Sequence, residues 1–120
     1  MATFSKIALS GSTDGKMIKV AATATAGTTL HTGSSTATTF DEIWLYAVNS
    51  STSTVKLTIE WGGVSSPDDL IEFTVPAEDG LYVMVAGLVI KGNATPLVVR
   101  AFAATANVIN IAGYVNRITA

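Results

Sequence analysis

The sequence predicts an all-β protein, an antiparallel, jelly-roll-like β-sandwich of about eight to ten short strands. Three observations predict it. Thr, Val and Ile are abundant, and their branched Cβ atoms favour a pleated, half-buried surface over a helix. Val55-Lys56-Leu57-Thr58-Ile59-Glu60-Trp61 alternates with a period of two. Clusters of Gly, Ser, Asn, Asp and Pro punctuate the chain at intervals of roughly eight to twelve residues.

Each element follows from the same two signals, alternation and turn chemistry. Phe4 to Leu9 reads as a strand ended by Ser10-Gly11-Ser12-Thr13-Asp14-Gly15, a run of loop formers. Lys16 to Ala22 is the next strand. Residues 21–39 are almost entirely Ala, Thr, Ser and Gly, and read as a surface loop or arm holding one short strand at Thr28 to Thr32. Such an arm suits strand addition to a neighbouring subunit, because small and β-branched residues shed little hydration. Asp41 to Val48 carries Ile43, Trp44, Leu45 and Tyr46 in succession, so both its faces look covered. Asn49-Ser50-Ser51-Thr52-Ser53 then predicts a hairpin into the Val55 strand. On that strand Val55, Leu57, Ile59 and Trp61 form the core face, with Lys56, Thr58 and Glu60 on the wet one.

Leu70 to Val75 stops at Pro76, and Ala77-Glu78-Asp79-Gly80 makes a tight turn with Gly80 free to take positive φ. Leu81 to Val85, Leu88 to Lys91, Leu97 to Phe102 and Val108 to Ile118 complete the set. The last of these is apolar on both faces, as a strand between two layers or against another chain would be.

The length of 120 residues suits one domain spanning 1–120. With 48% hydrophobic and only 13% charged residues, the chain is too apolar for disorder. Seven Lys and Arg against nine Asp and Glu leave a net charge of -2, which gives no means of neutralising phosphates, so no nucleic acid partner is expected. The absence of cysteine excludes disulfides, thiolate zinc sites and a thiol nucleophile. The longest apolar run, Leu81 to Ile90, is interrupted by Gly87 and is about half the length of a membrane span. No basic start precedes an apolar run, so the expectation is a soluble chain made in a cytoplasm, with no membrane partner.

Candidate chemistry is sparse. A Ser-His-Asp relay would have to pass through His31, the single histidine, and no nucleophile-elbow pattern surrounds it. The pairs Asp41-Glu42, Asp68-Asp69 and Glu78-Asp79 lie at strand starts and turns, where carboxylates hydrate loops or bind turn amides. Asp68-Asp69 is the one place where a weak calcium site would fit, although no Asp-x-Asp-x-Asp-Gly loop exists. Gly11 and Gly15 lack the Gly-Lys-Ser/Thr and helix of a phosphate loop. No enzyme and no cofactor are expected.

The aromatics leave three readings open. Trp44 and Tyr46 share one strand face, and rings so placed serve a core, a subunit interface or a sugar-stacking platform. With so few charges, a lone small sandwich exposes much apolar surface, and association covers it. The expected contact residues are the N-terminal Thr3 and Phe4, the arm residues Thr28, Thr29, Leu30, His31 and Thr32, and Trp44 with Tyr46.

Three stretches carry a resemblance: Phe4-Ser5-Lys6-Ile7-Ala8-Leu9-Ser10-Gly11-Ser12-Thr13-Asp14-Gly15-Lys16-Met17-Ile18-Lys19-Val20; Asp41-Glu42-Ile43-Trp44-Leu45-Tyr46-Ala47 with Leu57-Thr58-Ile59-Glu60-Trp61-Gly62-Gly63; and Asn110-Ile111-Ala112-Gly113-Tyr114-Val115-Asn116-Arg117-Ile118. Together they resemble small virion structural proteins of tailed double-stranded DNA bacteriophages, over nearly the whole chain. The resemblance implies a capsid decoration or cement protein, a homotrimer on the head exterior whose partner is the major capsid protein. Its alternatives are a neck or tail accessory protein and a carbohydrate-binding module displayed on the virion.

Overall fold

The computed structural model describes residues 2–120. Nine strands form two antiparallel sheets: β1 (Thr3–Ala8), β2 (Ile18–Lys19), β3 (Thr28–Thr32), β4 (Thr39–Asn49), β5 (Val55–Trp61), β6 (Leu70–Val75), β7 (Leu81–Lys91), β8 (Val98–Ala103) and β9 (Ile109–Thr119). One sheet runs β1-β9-β4-β7, with β2 also on β9; the other runs β3-β8-β5-β6. Only β1–β2 and β5–β6 stay within a sheet. Every other connection crosses between layers, which is the double-sheet winding of a jelly roll.

The core follows from alternation. Ile43, Leu45 and Ala47 of β4, Ile109, Ile111 and Val115 of β9, Leu57 and Ile59 of β5, and Val99, Ala101 and Ala103 of β8 are all fully buried between the sheets. The strands at Thr28–Thr32, Val55–Trp61 and Leu70–Val75 lie where the sequence predicts them. β1 and β2 behave as one interrupted strand along β9, facing Tyr114 to Thr119 and Asn110 to Ile111 respectively.

Three expectations need correction. The predicted hairpin between β4 and β5 is instead an arch joining the two sheets. Buried Asn49 makes the corner: its Nδ2 donates to the carbonyls of Ser53 (2.8 Å) and Val75 (3.0 Å), and its Oδ1 accepts from the amide and hydroxyl of Ser51. Those bonds tie β4 to the end of β6 in the opposite sheet, so the chain is drawn across. The two expected strands at 81–85 and 88–91 are one strand, in which Gly87 takes a φ of 79° at a bulge that breaks register with β4. Finally, Thr58 and Glu60 are buried rather than wet, Thr58 between Glu72 and Phe102 on the neighbouring strands and Glu60 beneath the segment preceding β3.

That segment is a strap. Glu60 points away from the core that Ile59 fills, yet it is completely covered. Its Oε2 accepts from Thr25 Oγ1 and its Oε1 from the Gly27 amide, both at 2.7 Å. The Ala103 amide donates to the Ala22 carbonyl (3.0 Å), and Thr28 Oγ1 accepts from the amides of Ala21 and Ala22. Residues 21–27 are therefore fastened to their own domain, across the outside of the β3-β8-β5-β6 sheet. Lys56, Glu72 and Thr74 face outward on β5 and β6, with an ion pair between Lys56 and Glu72, and Leu70 and Phe102 lie on the same side beside Glu60 and Thr58.

Candidate functional site

The opposite outer surface is of a different character. Because Ile43, Leu45 and Ala47 fill the core, β4 turns Phe40, Glu42, Trp44, Tyr46 and Val48 outward. Register brings Ile118, Asn116, Tyr114, Ala112 and Asn110 of β9 beside them, and then Phe4 and Lys6 of β1. β7 adds Val89, Ala86, Val83 and Leu81 on the other flank. Phe4 is 71% exposed, Leu81 and Val83 55%, Val89 49% and Leu88 48%, so the apolar surface is continuous with an open sheet edge. Monomeric soluble domains seldom leave such a face bare, and it is the candidate association surface.

A row of stacked groups stiffens its middle. The Trp44 and Tyr114 rings lie 5.9 Å apart at 10° to one another, and Lys6 Nζ sits 4.9 Å from the Tyr114 centroid on the β1 side. Trp44 rests against Gly87, where an added Cβ would meet its ring at 3.1 Å, so glycine at the bulge makes the seat for the indole. Glu42 Oε1 accepts from Asn116 Nδ2 (2.9 Å) and Trp44 Nε1 (3.2 Å). These bonds, chiefly that from Asn116, hold the Glu42 carboxyl below its ordinary range. A shallow groove of about 390 Å³ runs beside the row, lined by Phe4, Ser5, Lys6, Glu42, Asn116 and Ile118.

Of the expected contact residues, Phe4, Trp44 and Tyr46 meet on this face, with Thr3 at its β1 edge. Trp44 and Tyr46 are half-buried on the outer side rather than within the core. Thr28, Thr29 and Thr32 lie on β3, at the edge of the other sheet. Leu30 and His31 do not lie on any surface. A bulge between Thr29 and His31 turns both side chains inward, so neither can touch a partner.

His31 instead belongs to a buried polar cluster. Its Nδ1 accepts from the Ser10 amide (3.1 Å), which assigns the proton to Nε2, and Nε2–H donates to Asp41 Oδ2 at 2.7 Å. Arg117 completes the cluster with a fork, Nε to Oδ1 at 2.7 Å and Nη2 to Oδ2 at 2.8 Å. Both ring nitrogens are thus committed, and the Ser10 hydroxyl accepts from the Thr32 amide rather than facing the imidazole. The cluster joins β3 of one sheet to β4 and β9 of the other, and its geometry is that of a structural pin. At Asp68-Asp69, the Asp69 carboxylate accepts from the Ser65 amide across its own loop. Among the described residues no three His, Cys, Asp or Glu side chains converge as a metal site would require.

Burial raises the Asp41 pKa, but the hydrogen bonds from Arg117 and His31 and the charge of Arg117 outweigh it, leaving the carboxyl below its ordinary value of 3.8. A carboxyl depressed in the folded state stabilises above its unfolded pKa, and that stabilisation fades as pH falls through the folded value. The stability that Asp41 supplies, read as the difference in denaturation midpoint between wild type and Asp41→Asn from pH 6 downward, is expected to hold until about pH 4 and then to shrink.

Composition concealed most of this. Asp41 and Arg117 keep the same phase as Ile43 and Val115, and a charge at a core phase is the signal that could have found the cluster. Tyr114, Phe40, Val83 and Val89 needed the sheet register to be recognised as one surface with Trp44. No family model, curated protein or solved structure matches the chain.

Proposed function

We propose that the protein is a structural component of a tailed bacteriophage virion, a decoration or cement protein that binds the head through the outward face of its β1-β9-β4-β7 sheet. One observation carries the reading: the outward face of that sheet exposes Phe4, Val83 and Val89 around the half-buried Trp44, Tyr46 and Tyr114, with Lys6, Glu42 and Asn116 set among them, whereas part of the other sheet's exterior lies under a strap of its own chain. Two outer surfaces of such different character fit a molecule with one side against a shell and one side in water. Tyr and Trp at the centre of the face are the residue types that anchor interfaces.

The chemistry of cementing asks for little more. A protein that binds the closed arrangement of capsomers better than the strained one stabilises it by mass action. Many copies, each with modest contact, add up through avidity. The near-neutral chain needs no contact with packaged DNA. A glycan platform fits less well, because the Trp44 and Tyr114 ring faces are turned to each other and Lys6 occupies the flank of the stack.

Purified protein is expected to co-sediment with undecorated heads and to raise the temperature at which they release their genome. Absence from heads, with retention on isolated tails, transfers the protein to the neck or tail. Absence from both overturns a virion role.

A further inference from the structure

We infer that β7 is a self-pairing edge: two copies join antiparallel through β7 about a two-fold axis, so that Leu81 to Val83 of one copy lies beside Gly87 to Val89 of the other. The inference deepens the association reading given above and rests on it for the expectation that the apolar edge is covered.

β7 is 11 residues long and, among the described residues, pairs only with β4, so its other backbone edge has no partner among them. Natural edges are guarded by proline, by central charges or by shortness, and β7 has none of these; its single charge is Lys91, at the end. Leu81, Val83, Leu88 and Val89 are each about half exposed there. Bulges do guard edges, and β7 has two register shifts, at Gly87 and around Met84. They bend the strand near its middle and leave two straighter arms on either side. A dyad near Val85 sets one arm of each copy against the opposite arm of the other.

That register is consistent with itself. Residues directly opposed in an antiparallel pair share a face. The dyad opposes Leu81 to Val89, both on the outward side, where they face Val48 and Glu42 of β4. It opposes Tyr82 to Leu88, both on the inward side, where they face Ala47 and Ile43. Val83 falls opposite Gly87, whose missing side chain leaves room for it.

The ends supply the second observation. Among the described residues Lys91 makes no ion pair, while the turn before β7 carries Glu78 and Asp79. In the same register Lys91 of one copy meets Asp79 of the other, whose carboxylate also accepts from the Tyr82 hydroxyl and keeps an oxygen for the ammonium, and the symmetry makes the contact twice. A strand whose apolar arms match each other and whose ends carry opposite charge is complementary to itself, as an isologous interface requires. The contact is at the small end of specific interfaces, so the dimer is reversible.

Sedimentation velocity over a concentration series is the test. Wild type is expected to pass from monomer to dimer. Lys91→Glu is expected to weaken the dimer by about tenfold or more, and Lys91→Glu with Asp79→Lys to recover it, because the swap restores the pairing only in this register. Val83→Lys, checked for folding by circular dichroism, is expected to stay monomeric. A chain that is monomeric throughout, a trimer, or a dimer indifferent to both Val83→Lys and Lys91→Glu overturns the inference. Head binding is scored separately: a monomer that still binds heads overturns only the pairing, and a dimer that ignores heads overturns only the virion role.

Discussion

Asp41→Ala is expected to lower the unfolding free energy by about 3–5 kcal/mol, because it removes one partner of a buried, hydrogen-bonded charge cluster. Asp41 is buried and receives three side-chain hydrogen bonds, two from Arg117 and one from His31. Its loss leaves the His31 Nε2–H without an acceptor inside the sandwich, and an Arg117 guanidinium with no counter-charge. The buried imidazole donor so abandoned costs more than the bond it made, while the partly exposed Arg117 recovers some of its loss from water. The pin also spans the layers, joining β3 to β4 and β9, so its removal loosens the contact between sheets and not one turn. Urea denaturation checks the value. A loss below about 1 kcal/mol would mean that water replaces the carboxylate without strain, and that the cluster does not hold the layers together.

Glu60→Ala is the second large effect, expected at about 3 kcal/mol from two charge-assisted hydrogen bonds. Glu60 is fully covered, and its carboxylate is what the strap at residues 21–27 is fastened to, through Thr25 Oγ1 and the Gly27 amide. With alanine there, the strap keeps its bonds at the Ala22 end, from the Ala103 amide to the Ala22 carbonyl and from the Ala21 and Ala22 amides to Thr28 Oγ1, and loses those at Thr25 and Gly27. The local signature separates this from a general loss of stability. The Gly27 amide is expected to lose its hydrogen-exchange protection, and residues 21–27 to become the first site of proteolysis, while β4 and β9 stay protected. Glu60→Gln keeps one acceptor and is expected to fall between wild type and alanine.

Strand positions were legible because their signals are local. Val55–Trp61 alternates on its own, and Pro76 with Gly80 ends one strand and starts the next wherever those strands lie. Sheet membership was not local. Asn49-Ser50-Ser51 reads alike as a hairpin and as an arch, and the difference lies in whether Asn49 Nδ2 finds the Val75 carbonyl, 26 residues away. Glu60 looked solvent-facing because its cover comes from a strap of Ala, Thr and Gly with no apolar period to announce that it packs on anything. His31 looked available because a bulge in β3 shifts the alternation at that point, and no single residue type marks it.

The candidate surface was half legible. Alternation set Trp44 and Tyr46 opposite Ile43 and Leu45, which is their arrangement in β4. Which of those faces met the other sheet was hidden, since both are apolar. Register settles it by aligning Trp44 with Tyr114 and Ala86, and by placing Phe4 and Val89 at the two flanks of one exposed sheet face.

The most direct measurement of the contact face is head co-sedimentation of a variant pair. The first carries Phe4→Ser and Phe40→Ser, both at exposed positions on the β1-β9-β4-β7 sheet and away from the β7 edge; the second carries Lys56→Ser and Glu72→Ser, on the other sheet. Loss of head binding by the first, with the second behaving as wild type, is the predicted result. Binding kept by the first, or lost only in the second, would contradict it.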